Sequence, residues 1–161
     1  MGSGLSGLYN GTHGSPLYLG AIDYMSNDDQ FSLNIKKRKD VDPGDYLDII
    51  AHGSSKFITI NYNGNTVTIS HNAFARYLLA KGVLTKKKIR LLSCNTGLIS
   101  HGFAQGLADK LNMEVLAPKG YVAVDNRGKY AVFKGRNEQG KLVLYEKSHF
   151  ETFYPRGGKN Q

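Results

Sequence analysis

A histidine and a cysteine each follow an apolar stretch that has the character of a buried strand. His52 comes directly after residues 46–51, and Cys94, the single cysteine of the chain, follows residues 89–93. A thiol becomes a useful nucleophile when a nearby imidazole takes its proton, and the same imidazole can then protonate a leaving amine. If the two strands are neighbours, the pair predicts acyl chemistry with Cys94 as nucleophile and His52 as base.

Backbone groups beside this pair complete the predicted site. Gly53 follows the histidine, and its N–H together with that of Cys94 could form an oxyanion hole. Asp23, just after the first predicted strand, is a candidate residue for orienting His52. Asp48 shares strand parity with His52, but four residues of strand separate the two Cα atoms by about 13 Å, which is too far for a direct hydrogen bond.

No metal or cofactor is predicted. His52, Cys94 and His101 are zinc-ligand types, but their spacing matches no zinc motif. A single cysteine also excludes a disulfide within the chain and a zinc site built from several of its thiolates. The glycine pattern of residues 2–7 has no strand before it, so it is not a dinucleotide-binding fingerprint.

The elements that must position these residues can be predicted from local patterns. A hairpin is predicted around Asn63 and Gly64, and a helix over residues 71–81 between a Ser70 cap and Gly82. A second helix is expected over residues 100–111, followed by a strand and further short strands. This order predicts a three-layer α/β sandwich with a mainly parallel central sheet, a β-hairpin and an antiparallel extension.

Length and charge limit the functional classes. The 161 residues suit one domain over residues 16–161, and the glycine-rich residues 1–15 are interpreted as a linker or the edge of an excised domain. The net charge of +8 favours acidic or phosphate-bearing partners, and residues 36–39 and 86–90 are basic runs. No apolar run reaches the roughly 18 residues of a membrane span, and no signal peptide is recognisable.

Two motifs and the segments after them resemble the clan CD cysteine peptidases. The motifs are DIIAHG (residues 48–53) and IRLLSCNTG (residues 89–97), and they are followed by FAQGLADKL and VLAP. This group includes caspases, gingipains and self-processing protease domains of bacterial toxins. The sequence is most similar to peptidase-like domains at the C-termini of bacterial polymorphic toxins, mainly over residues 46–117. The resemblance implies a caspase-like fold, a protein or peptide substrate, His52 as base and Cys94 as nucleophile.

The resemblance also implies a biological setting. The domain would be secreted or delivered as part of a larger bacterial toxin and act in the target-cell cytoplasm. Its expected partners are an acidic immunity protein and a phosphate-rich activator at a basic patch. Two alternatives stay open: the same dyad could serve deamidation or acyl transfer on a target protein, or the chain could be a non-peptidase basic toxin or binding module in which Cys94 only packs.

Overall fold

Short strands make up most of the regular structure of this chain. The computed structural model describes residues 15–18, 30–35, 37–38, 46–84, 88–144 and 149–157. The helices are α1 (Gln30–Ile35), α2 (His71–Lys81) and α3 (Phe103–Leu111). The strands are β1 (Ser15–Tyr18), β2 (Tyr46–Ile50), β3 (His52–Gly53), β4 (Phe57–Tyr62), β5 (Asn65–Ser70), β6 (Lys88–Leu92), β7 (Glu114–Pro118), β8 (Tyr121–Val124), β9 (Tyr130–Arg136), β10 (Leu142–Leu144) and β11 (Phe150–Phe153).

Five of these strands form a central sheet in the order β1-β2-β6-β7-β11. The first four run parallel, and β11 pairs antiparallel with β7. Strands β2 and β6 are buried from their second residue onward, because both faces of the sheet are covered. Their register pairs Asp48 with Arg90 and Ile50 with Leu92, and this register positions the candidate site.

Helices α2 and α3 cover one face of the central sheet. Ile49 and Leu91 contribute to the core on that face, together with Phe74 of α2 and Phe103 of α3. The two phenylalanine rings lie 5.8 Å apart between centroids, so the helices pack against each other as well as against the sheet. This core also extends to the inner side of the β4–β5 hairpin through Ile58.

The local signals for the hairpin and for α2 are confirmed. Asn63 and Gly64 turn the hairpin with φ values of 52° and 82°, a conformation that favours these two residue types. Ser70 begins α2 by accepting a hydrogen bond from the Ala73 N–H at 3.3 Å. Gly82 ends the helix in the left-handed conformation, with its N–H on the carbonyl oxygen of residue 79.

Strands and a short helix cover the opposite face. Ile50 and Leu92 pack there against Ile35 of α1, Val122 of β8 and Tyr130 of β9. Strands β8 and β9 belong to a separate antiparallel sheet in the order β10-β9-β8. The second core of the domain therefore lies between the central sheet and this smaller sheet.

The predicted three-layer α/β sandwich of the caspase type is wrong. The described residues are 43% strand and 21% helix, and the strands form three sheets, so the structure is mostly β. Two of the sheets, β3-β4-β5 and β10-β9-β8, are antiparallel throughout. The reason lies in residues 121–133, where Val122, Tyr130 and Val132 are buried at strand spacing. These strands occupy the place at which a sandwich would carry a second helical layer.

The second helix begins later than predicted. Residues 94–102 form successive turns, and α3 starts only at Phe103 after the Gly102 cap. Ile99, which lies in these turns before the helix, is 38% exposed. Within the described ranges, no helix combines the length and the apolar character needed to cross a membrane.

Several predicted features fall outside the described residues. They include residues 1–14 of the predicted linker, whereas Ser15 already begins β1. They also include Asp23, the candidate orienting residue, and residues 36, 39, 86 and 87 of the two basic runs. The candidate site is therefore built from His52, Gly53, Cys94 and their described neighbours.

Candidate functional site

His52 and Cys94 lie beyond the carboxyl ends of neighbouring parallel strands. Ile50 of β2 and Leu92 of β6 are register partners, and both contribute to the core under α1 and β8. His52 is the first residue of β3, two positions beyond Ile50, and Cys94 lies in the turn after β6, two positions beyond Leu92. Cys94 also packs against the same core. The register of β2 and β6 thus brings the two segments to one edge of the central sheet.

Phe31 of α1 connects the surroundings of the two residues. Its ring centroid lies 5.8 Å from that of His52 at an angle of 43°, and it also packs against the core that Cys94 borders. Sequence analysis missed this contact because no helix was predicted over residues 30–35. The four-residue spacing of Phe31 and Ile35 is the helical signal that could have found it.

Gly53 lies directly against the turn that carries Cys94. A Cβ atom at position 53 would be 2.3 Å from the Ser93 Oγ, 2.9 Å from the Thr96 Cγ2 and 3.3 Å from the Cys94 carbonyl oxygen. The first two distances leave no room for a side chain, which explains the glycine. The backbone of Gly53 therefore lies close to the Ser93 and Thr96 side chains on either side of Cys94.

The backbone N–H of Gly53 points away from the hairpin. Gly53 is opposite Ile58 in the β3–β4 pair, and the next N–H along, that of Ser54, donates to the Phe57 carbonyl oxygen at 2.9 Å. Hydrogen-bonded and non-hydrogen-bonded pairs alternate in an antiparallel ladder, so Gly53 and Ile58 form a non-hydrogen-bonded pair. The Gly53 N–H therefore does not donate to β4. The other predicted oxyanion donor, the Cys94 N–H, lies in the turn after β6.

The Cys94 sulfur is partly buried and held by strand β8. The Val122 N–H donates to Sγ at 3.3 Å. The thiol in turn donates to the Val122 carbonyl oxygen, which lies 3.8 Å from Sγ. Burial raises the pKa of the Cys94 thiol, and the N–H groups of Val122 and Cys94 offset only part of this effect. At neutral pH the resting group is a thiol, so a base must take its proton during attack.

Backbone hydrogen bonds fix the turn that follows Cys94. Asn95 adopts a left-handed conformation with φ of 61°, and its N–H donates to the Gly120 carbonyl oxygen at 2.7 Å. The Thr96 hydroxyl donates to the Ser93 carbonyl oxygen at 2.8 Å. The turn is therefore attached to the loop between β7 and β8, from which Val122 follows, and this attachment sets the position of the sulfur.

Asp48 of β2 is engaged in a buried ion-pair cluster. Its carboxylate accepts hydrogen bonds from Arg90 Nε at 2.9 Å, Arg90 Nη2 at 2.8 Å and Arg38 Nη2 at 2.7 Å. Arg90 Nη1 also donates to the Tyr130 hydroxyl at 3.1 Å. Asp48 is thus committed to two arginines. These arginines belong to the basic runs 36–39 and 86–90, but both are buried and serve the fold.

His101 belongs to a separate polar cleft of about 330 Å³, which it lines with His71, Asp109 and Arg156. Arg156 Nε donates to Asp109 Oδ2 at 2.9 Å, and Arg156 Nη1 lies 3.4 Å from His101 Nδ1. Burial acts to raise the pKa of Asp109, but hydrogen bonds from Arg156 and Gln105 lower it below its ordinary value. Among the described residues, no group of three or more His, Cys, Asp or Glu is arranged to hold a metal ion.

Comparison with known proteins assigns a family but no activity. None of the curated proteins matches this chain. One family matches residues 20–132, a segment that includes His52, Gly53 and Cys94 and ends within β9. This segment is more than half of the chain, and the chain therefore belongs to that family, which is described as a domain of unknown function (DUF8616).

Proposed function

We propose that this domain is a cysteine hydrolase that cleaves peptide bonds, with Cys94 as nucleophile and His52 as base. The observation that carries the proposal is the position of the two residues, each two places beyond the Ile50–Leu92 register pair at the carboxyl edge of the central sheet. The close approach of Gly53 to Ser93, Cys94 and Thr96 supports it further, because it brings the His-Gly segment next to the turn that carries the nucleophile.

The chemistry follows from a thiol that is neutral at rest. The Cys94 sulfur attacks the substrate carbonyl carbon while His52 takes the thiol proton, and the carbonyl oxygen becomes an oxyanion beside the Gly53 N–H. The imidazolium then donates its proton to the leaving amine, which leaves a thioester on Cys94. A water molecule, deprotonated by His52, attacks the thioester and releases the carboxylic acid and the free thiol.

The biological setting is part of the same proposal. The resemblance to toxin effector domains supports a role inside a target cell, and the charge of +8 supports an acidic inhibitory partner. Deamidation of a target protein would use the same steps with ammonia as the leaving group. Ammonia release without backbone cleavage would distinguish deamidation from peptide hydrolysis.

A catalytically silent binding module is the second candidate. The observation that favours it is the environment of Cys94, whose sulfur is hydrogen-bonded to Val122 and whose pKa is raised by burial. A thiol of this kind can be a packing group and nothing more. In that case the function would reside in a surface, and variants at Cys94 would leave it intact.

Expression in bacteria and cleavage of fluorescently labelled casein test the two candidates. The wild-type chain should slow growth and cleave casein, and Cys94→Ala and His52→Ala should lose both effects to a similar extent, because the two residues act as one unit. His101→Ala is the matched control, since His101 belongs to the separate cleft. Growth inhibition that survives Cys94→Ala, or a wild-type chain inactive in both assays, would contradict the proposal.

A further inference from the structure

Helix α2 and the β4–β5 hairpin enclose a groove of about 530 Å³. It lies on the α2 and α3 side of the central sheet, because its residues Ile60, Val67, Ile69 and Tyr77 belong to or pack against the core on that side. Cys94 borders the core on the opposite side. The groove is therefore separate from the candidate site.

The floor of the groove is apolar and open. Helix α2 contributes Ala73, Tyr77 and Ala80, which recur at helical spacing, and β5 contributes Val67 and Ile69. Both alanines end at Cβ, so the space above them is left unfilled. A cavity of this size with aliphatic walls suits one or two aliphatic side chains of a partner.

The charged residues that line the groove, Arg76 and Lys81, are both basic. Residues 49–108 contain seven Lys and Arg residues and no Asp or Glu, although the whole chain has 13 acidic residues. Arg76 and Lys81 line the groove and are exposed, and neither forms an ion pair with any described residue. Their charge is therefore available to a partner that brings carboxylates.

The aromatic residues of the groove fit a protein partner better than a nucleic acid. Tyr77 stacks on Phe74 with 6.1 Å between centroids and an angle of 15°, and Lys81 Nζ lies 5.4 Å from the centre of the Tyr77 ring. Tyr62 meets the Tyr77 ring edge-on at 6.0 Å. The Tyr77 ring is thus occupied by its neighbours, whereas single-stranded nucleic acids require open rings for base stacking.

We infer that this groove binds an acidic protein segment with an aliphatic anchor side chain. The anchor enters the space above Ala73 and Ala80, and flanking carboxylates pair with Arg76 and Lys81. The inference does not depend on the proposed peptidase activity, because the groove and Cys94 border different cores. It assigns a partner-binding role to the acid-free segment of the chain.

Selection of random peptides displayed on phage, followed by fluorescence anisotropy with the enriched peptides, tests this inference. The full chain carrying Cys94→Ala is the bait, so that loss of thiol chemistry cannot affect the result. Enriched peptides should combine Asp or Glu with Leu, Ile or Phe, and their affinity should fall with ionic strength. Ala80→Leu, which fills the groove at unchanged charge, and the double variant Arg76→Glu with Lys81→Glu should each weaken binding by at least about tenfold.

Lys56→Glu is the control, because it makes one charge reversal of the same kind in the acid-free segment outside the groove. Lys56→Glu should change the affinity for the enriched peptides by less than about threefold, because a charge outside the contact surface has little effect on affinity. Circular dichroism confirms that each variant is folded. Failure to enrich acidic peptides, binding unaffected by Ala80→Leu, or tighter binding of single-stranded RNA than of the peptides would overturn the inference.

Discussion

Replacing Gly53 by alanine should destabilise the domain through one identifiable contact. The added Cβ would lie 2.3 Å from the Ser93 Oγ and 2.9 Å from the Thr96 Cγ2, both closer than non-bonded atoms tolerate. Overpacking of this kind costs about 1–3 kcal/mol of unfolding free energy. The alanine also restricts the unfolded chain, which stabilises the folded state by roughly 0.4–1 kcal/mol. The expected net loss of unfolding free energy is of order 1–2 kcal/mol.

The contact with Ser93 supplies a rescue variant. The Ser93 Oγ is buried and has no hydrogen-bond partner among the described residues, so Ser93→Ala alone should change the unfolding free energy by less than about 1 kcal/mol. The double variant Gly53→Ala with Ser93→Ala removes the closest clash. The Thr96 Cγ2 is then the side-chain atom nearest to the new Cβ at position 53. A favourable coupling energy of about 1 kcal/mol is therefore expected between the two positions.

Urea denaturation of the wild type, the two single variants and the double variant measures this coupling. Thermal unfolding is a second readout, in which each kcal/mol corresponds to roughly 2–4 °C for a chain of this size. A neutral Gly53→Ala variant, or additive effects of the two substitutions, would refute the close approach of the His-Gly segment to the Cys94 turn. The proposed dyad would then lose its geometric basis.

Three further predictions concern stability. Asp48→Asn leaves two buried arginines without their counter-charge, so it should lower the unfolding free energy measured in urea by about 3–5 kcal/mol. Asp109→Asn removes the charge of a more exposed ion pair and should lower the unfolding free energy by less than about 1 kcal/mol. Ser70→Ala removes the cap of α2 and should cost about 1 kcal/mol in the same assay. The folded Cys94 thiol binds its proton more tightly than the unfolded one, so wild-type stability should fall as pH rises above about 8.5, and Cys94→Ala should not share this fall.

Elements with strong local signals could be predicted from the sequence. The β4–β5 hairpin follows from Asn63 and Gly64, and α2 follows from the Ser70 cap and the Gly82 stop. The apolar runs of β2 and β6 identified two buried strands. These predictions succeeded because each depends on residues that are close together in the chain.

The rest of the fold and of the candidate site depends on contacts between segments that are distant in the chain. No local sequence pattern contains this information. The apolar residues of β8 and β9 could indicate short strands, but not that those strands replace a helical layer. The pairing of Asp48 with Arg90 depends on the β2–β6 register, and without it Arg90 was assigned to a basic surface run. The raised pKa of Cys94 likewise results from burial under β8, whereas sequence reasoning expected an easily ionised thiol.

The pH dependence of Cys94 alkylation by iodoacetamide, compared between the wild type and His52→Ala, tests most directly whether the histidine acts on the thiol. In the wild type, alkylation should already proceed below about pH 8.5, where the thiol is still protonated, because His52 takes its proton, and the rate should rise further above that pH as the thiol ionises. His52→Ala should lose the reactivity below about pH 8.5 and keep only the rise above it. Wild-type and His52→Ala profiles that superimpose would contradict the proposed dyad.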